Sequence, residues 1–144
     1  MSPRQAYHEL HWIHAPEFLF GMRISDDGQF LYESINPAFE RSLGISIVGN
    51  KKAIHDCMSE EDAKAICASC SACVAEGRPV RYRHFLALGG RRREFDTIIN
   101  PVRGFENGNK IVKLVGSHRA IEDRMTIDAT EKMATRRTAA ELDV

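Results

Sequence analysis

The stretch Asn36-Pro37-Ala38-Phe39-Glu40-Arg41-Ser42-Leu43-Gly44 is closed at both ends by its own residues. Asn36 is a helix-capping type, able to accept a hydrogen bond from a first-turn amide. Pro37 fits the first helical position, where its missing N–H would find no partner anyway. Phe39 and Leu43 sit four apart and share a face, and Gly44 can take the left-handed conformation that ends a helix. The spacing predicts a short helix that aims Phe39 at whatever lies beneath. Just before it, Asp26-Asp27-Gly28 signals a tight turn. Residues 29–35 then set Phe30, Tyr32 and Ser34 against Leu31, Glu33 and Ile35, the alternation of a strand.

The rest of the chain fits around this opening. Phe18, Phe20, Met22 and Ile24 alternate inward on a preceding strand, which pairs with 29–35 as a hairpin. Residues 45–52 read as loop and 53–58 as a helical turn. Ser59, with Asp62 three residues on, forms a capping box, and Glu60, Glu61 and Asp62 suit the positive end of a helix. That helix runs to Glu76, stops at Gly77 and should bury Ala63, Ile66, Cys67, Cys70 and Val74. Strands follow at 80–88, 91–102 and 110–119, with Gly89-Gly90 turning the first pair. Pro101 has no amide to donate, so it belongs near a strand end or on an unpaired side.

The order is two strands, helices, then three strands, with a tight turn between each neighbouring pair. It predicts an α+β domain, a five-stranded antiparallel sheet with helices packed on one face. Three parts are expected: a flanking helix in 1–17, the domain in 18–120 and a linker or signalling helix in 121–144. The first has Ser2 as cap, Pro3 in the first turn, Gln5 reaching back and Pro16 as a stop. In the last, Ile121, Met125, Ala129 and Met133 fall at spacing four.

The 144 residues allow one core, and 43% apolar with 28% charged residues is ordinary for a globular domain. Lys plus Arg equals Asp plus Glu at 20 each, so no overall basic field draws in nucleic acid or a membrane. No apolar run approaches the ~20 residues of a membrane span, and no signal-peptide run opens the chain. Four cysteines without an export signal suit a reducing compartment, so a cytoplasmic location is expected.

The run Asp27-Gly28-Gln29-Phe30-Leu31-Tyr32, continuing through Asn36-Pro37-Ala38-Phe39 to Leu43-Gly44, resembles the opening of a PAS (Per-Arnt-Sim) sensory domain. Ile111-Val112-Lys113-Leu114-Val115-Gly116-Ser117-His118-Arg119 resembles that family's last strand, and the likeness covers about 18–123. Where the family then has Asp, an aliphatic and Thr, this chain has Ala120-Ile121-Glu122. The resemblance implies a regulatory module rather than an enzyme. Such a module binds a small ligand between helices and sheet and relays the change through its C-terminal helix. The receiver would be an output domain or partner, as in two-component histidine kinases, cyclic-dinucleotide enzymes and transcription regulators. It also implies homodimers formed through the flanking helices.

On the same comparison, Phe30, Tyr32, Phe39, Cys70, Tyr82, His84, Leu114 and His118 are the candidate pocket lining. In flavin-binding relatives the position two after the last strand's Gly carries a glutamine that bonds the flavin. Here that position is His118, which can hydrogen-bond a ligand or change charge near neutral pH. The plainer reading is a buried histidine bonded to a side chain or water. Two other classes stay open. One is a ligandless dimerisation module with its interior filled by Phe and Tyr. The other is a small α+β enzyme, for which only His84, His118 and Cys70 could serve, with no carboxylate beside them.

Cys67-Ala68-Ser69-Cys70-Ser71-Ala72-Cys73, with Cys57 upstream, supplies the four thiols an iron–sulfur cluster needs. Cys67 and Cys70 fall where a helix needs an apolar face, and small thiols let it approach the sheet, so packing outweighs metal ligation. No metal is therefore expected. Residues 59–76 hold no histidine for haem, and no Asn-Cys-Arg offers the photoreactive thiol of flavin photochemistry. Non-covalent flavin or another small molecule stays open as cofactor. Arg91-Arg92-Arg93 reads as a solvated turn that blunts edge pairing, and no phosphate loop or triad signature occurs.

Overall fold

The structure, a computed structural model, describes residues 2–47 and 50–121. Among these, three helices and six strands form: α1 (Pro3–His14), β1 (Phe18–Ile24), β2 (Phe30–Ile35), α2 (Pro37–Leu43), β3 (Lys52–Ala53), α3 (Glu60–Glu76), β4 (Val80–Leu86), β5 (Arg93–Gly104) and β6 (Lys110–Ala120). The strands make one antiparallel sheet in the order β3-β2-β1-β6-β5-β4. The expected α+β architecture is present with one strand more than the five expected. The addition is β3, which lies partly in the segment read as loop and pairs Leu31 with Ala53 and Tyr32 with Lys52. Two residues are too short to show a period.

One face of the sheet supplies the core. Phe20, Met22, Tyr32, Leu86, Phe95, Ile99 and Leu114 are buried there, beneath Phe39 of α2 and Ala63, Ile66 and Cys70 of α3. Strand β2 changes phase partway along. Gly21 pairs with Ser34 and Met22 with Tyr32, so Glu33 is an extra residue in a bulge. The shift turns Ile35 inward and leaves Ser34 exposed, the reverse of a strict alternation. Pro101 lies beyond the last β4 pair, Val80 with Ile99, on a stretch of β5 that pairs with β6.

Helix α3 presents a slightly different face from the expected one. Ile66, Cys70 and Cys73 are buried, Cys67 is half-buried and Val74 is 36% exposed. The helix is rotated so that its seam runs through Asp62 and Cys73, because Asp62 is drawn to the β4–β5 turn. Its carboxylate accepts from the amides of Ala87 (3.0 and 3.1 Å) and Leu88 (2.8 Å). Leu88 has φ of 41° and is fully buried. Its carbonyl accepts from the Ser42 hydroxyl, and a Cβ on Gly89 would lie 1.8 Å from the Ser42 carbonyl oxygen. The turn is thus clasped between the end of α2 and the start of α3. Of the three turn arginines, Arg92 pairs with Glu61 and lies over the Phe85 ring, so it ties the turn to α3 rather than standing free.

Asn36 does more than cap α2. Its Oδ1 accepts from Phe39 N (3.2 Å) and Leu19 N (2.9 Å), while Nδ2 donates to the Glu17 (2.9 Å) and Ala15 (3.4 Å) carbonyls. One fully buried side chain therefore joins the exit of α1, the start of β1 and the start of α2. Helix α1 forms with the expected Ser2–Gln5 capping box yet buries none of its residues. Ile121 is buried at the end of the described chain, and the expected C-terminal helix otherwise lies outside the described residues.

Candidate functional site

Beneath α2, the ends of β1, β5 and β6 bring aromatic rings around one histidine. Gly116 makes this possible, because a Cβ there would come within 2.7 Å of the Phe20 ring and 2.2 Å of the Ile98 carbonyl oxygen. Phe20 instead lies across the glycine and stacks on His118, two residues on, with centroids 4.8 Å apart. Phe39 comes down edge-on to His118 at 5.6 Å, and Tyr32 meets Phe20 and Phe39 edge-on at 6.1 and 5.8 Å. Phe95 closes the far side, and Phe18 stacks on Phe39 at 5.1 Å. Each such ring pair stabilises by ~0.5–1.5 kcal/mol beyond its area burial, so the cluster contributes to the core's stability.

Polar groups run through this apolar setting in a line. His118 Nδ1 is 2.7 Å from Thr97 Oγ1, which is 2.8 Å from His84 Nε2. His118 is 1% exposed, Thr97 is fully buried, and His84 is half-buried at the outer end. Burial holds the His118 imidazole neutral, bringing its pKa from 6.5 down to about 3, with the neighbouring His84 adding to the effect. Burial also lowers His84, opposed by the Asp62 carboxylate. Two buried polar atoms in the cluster, His118 Nε2 and the Tyr32 hydroxyl, have no hydrogen-bond partner among the described residues. A buried polar atom left unpaired costs ~1–3 kcal/mol, comparable to what two or three ring contacts return.

The expected lining residues fall into two groups. Tyr32, Phe39, His84 and His118 come together in the cluster, with Tyr82 stacked on His84 at 6.5 Å. Leu114 and Cys70 lie away from His118 at the level of Tyr32: Leu114 and Tyr32 both pair with Met22 of β1, and Cys70 Sγ is 3.7 Å from Met22 Sδ. Phe30 is not brought in. It pairs with Ile24, six residues along β1 from the Phe18–His118 pair, about 20 Å at strand rise. Thr97, Phe18, Phe20 and Phe95 are members that the sequence reading missed. For Thr97 a signal existed, since it is the polar member of the inward series Phe95, Thr97, Ile99.

The four thiols are free and go separate ways. Cys57 Sγ points to the Ala53 carbonyl, and Cys73 Sγ to those of Arg78 and Ile99. Burial raises the pKa of all four, most for Cys70, which favours the thiol over the reactive thiolate. Among the described residues no group of three or more His, Cys, Asp or Glu is placed to hold a metal. Nor is any helix among them long and apolar enough to cross a membrane. On the outer sheet face, Asp96 is buried between Arg81 (2.5 Å) and Arg119 (3.7 Å), and its bond to Arg81 holds its carboxyl below the usual range. A separate groove of about 440 Å³ lies between α1, α2 and β2, lined by Trp12, Ile13, Ile35, Pro37 and Glu40 among others.

No family profile matches the chain. No curated protein sequence matches it either. Solved structures do. A PAS domain from Colwellia psychrerythraea superimposes with a TM-score of 0.59 at 13% identity, over 81% of this chain and 96% of that one. An RNA-binding light-oxygen-voltage receptor gives 0.59 at 18% identity, over 91% of this chain and 37% of the receptor. A domain of a sensory box sensor histidine kinase/response regulator from Geobacter sulfurreducens gives 0.53 at 17%, over 81% and 93%. The sheet order, the helices over one face and these superpositions agree: the chain has the fold of the PAS domains.

Proposed function

We propose that this domain is a sensory module whose guest is a small molecule with a polar group, held beneath α2 and α3 against His118 and Tyr32. The observation that carries the reading is the pair of buried, unpartnered atoms, His118 Nε2 and the Tyr32 hydroxyl, on either side of the Phe20 and Phe39 rings. A guest that bonds to them recovers the cost of leaving them bare. It shifts the helices only so far as it binds one packing better than another. The change would pass along β6 to the chain after Ile121, and from there to an output domain or partner in a cytoplasmic signalling pathway. The superimposed structures are sensory domains, which supports a regulatory role for this one. The test is an absorption spectrum and denaturing mass spectrometry of the purified protein beside His118→Ala. A small molecule at about one per chain, depleted in the variant, is the expected result. No molecule in either sample, with unchanged spectra, would count against the reading.

A ligandless dimerisation module is the second reading, favoured by α1. Tyr7, Leu10 and Ile13 lie within one helical face and are 68%, 57% and 49% exposed. Light scattering would support it with a tight dimer that Leu10→Glu dissociates.

A further inference from the structure

Two histidines and one threonine hydroxyl make a line from the half-buried edge of the sheet to an unpartnered atom in the core. The hydroxyl between them has a single proton. It can donate to one ring nitrogen only, and must accept from the other. When both histidines are neutral, two arrangements satisfy the line. In the first, His118 Nδ1–H donates to Thr97, Thr97 donates to His84 Nε2, and His118 Nε2 is a bare lone pair. In the second all three are reversed and Nε2 carries a buried N–H with nothing to receive it. Orphaned buried N–H groups are rarer than under-used acceptors, so the first arrangement is the ground state.

We propose that Thr97 works as a hydroxyl relay, coupling the charge of His84 to the choice of which ring nitrogen of His118 carries the proton. A protonated His84 has no lone pair left, so its Nε2–H must donate to Thr97. Thr97 then donates to His118 Nδ1, and the His118 proton sits on Nε2. The change takes up one proton. It is equivalent to a proton arriving at His118 Nε2 while Nδ1–H passes to Thr97 and the Thr97 proton passes to His84 Nε2. The outer histidine thereby converts the core's polar point from acceptor to donor, whether or not a guest occupies the core.

Among the charged groups near the line, Arg93 of β5 lies over the Phe95 ring, 5.0 Å from its centroid. Asp62 acts on His84 from α3 and favours its charged form, Tyr82 stacks beside it on β4, and His118 faces it from β6. His118 meets Phe20 of β1, Phe39 of α2 and Phe95 of β5, none of which titrates, and Tyr32 of β2 lies behind Phe20 and Phe39. Burial moves the His84 pKa down from its ordinary value, opposed by Asp62, so the switch lies on the acid side of that value.

Long-range proton–nitrogen NMR of ring-labelled histidine, followed from about pH 8 to about pH 4.5, reads both rings at once. The expected result is that His118 moves from the Nδ1–H to the Nε2–H form over the same range in which His84 gains charge. Thr97→Val should uncouple the two, Thr97→Ser should restore the coupling, and His84→Gln should leave His118 in one form throughout. A His118 tautomer that stays constant while His84 titrates would overturn the relay. So would coupling that survives in Thr97→Val.

Discussion

His118 is held neutral by its surroundings, and this has a consequence for stability that can be signed. Its folded pKa of about 3 lies below the ordinary 6.5. Between those values the unfolded chain binds the extra proton, so the native state loses stability as pH falls through that window and is unaffected above it. From pH 7 to pH 5 the loss from this residue is about 2 kcal/mol. Urea unfolding should show the parent protein losing about that much more than His118→Phe over the same interval, and equal losses would contradict the assignment. Asn36 is the other residue on which much depends. Its four hydrogen bonds leave no polar atom unused, so Asn36→Ala should cost ~2–4 kcal/mol, more than the ~1 kcal/mol of an ordinary cap. A loss of ~1 kcal/mol or less would reduce Asn36 to a plain cap.

Elements were legible where the signal was local. The caps Asn36 and Ser59, the stops Gly44 and Gly77 and the turn at Asp26–Gly28 each name their own structure, and α2 and α3 begin and end where these residues place them. Contacts across the chain were not legible. The Glu33 bulge depends on how β1 and β2 register, and the rotation of α3 depends on Asp62 meeting a turn 25 residues away. The capping box read from Ser59 and Asp62 is only half formed: Ser59 Oγ accepts from the Asp62 amide (3.2 Å), but the Asp62 carboxylate goes to the turn instead of back to Ser59. Asp62→Ala should therefore do more than weaken α3. The amides of Ala87 and Leu88 should exchange hydrogen faster than those of β1, with a stability loss of ~2–4 kcal/mol. Exchange at the turn matching the parent's would mean that Ser42 and Gly89 hold it alone.

At the scale of the whole molecule, α2 and α3 lie over one face of a single antiparallel sheet, and the rings beneath α2 close around a polar point. The strand–helix–strand order made the architecture readable, because helices confined to one segment of the chain can cover only one face without long crossings. The composition of the site was only half readable. His118 and Tyr32 stand on inward strand positions, but Thr97 matters only because two histidines from different strands converge on it. The most direct measurement is a crystal structure of the protein purified without denaturation. The expected result is density for a small molecule bonded to His118 Nε2 or the Tyr32 hydroxyl, with the Phe20 and Phe39 rings parted to admit it. Closed rings, with no density for a guest beside either atom, would contradict it.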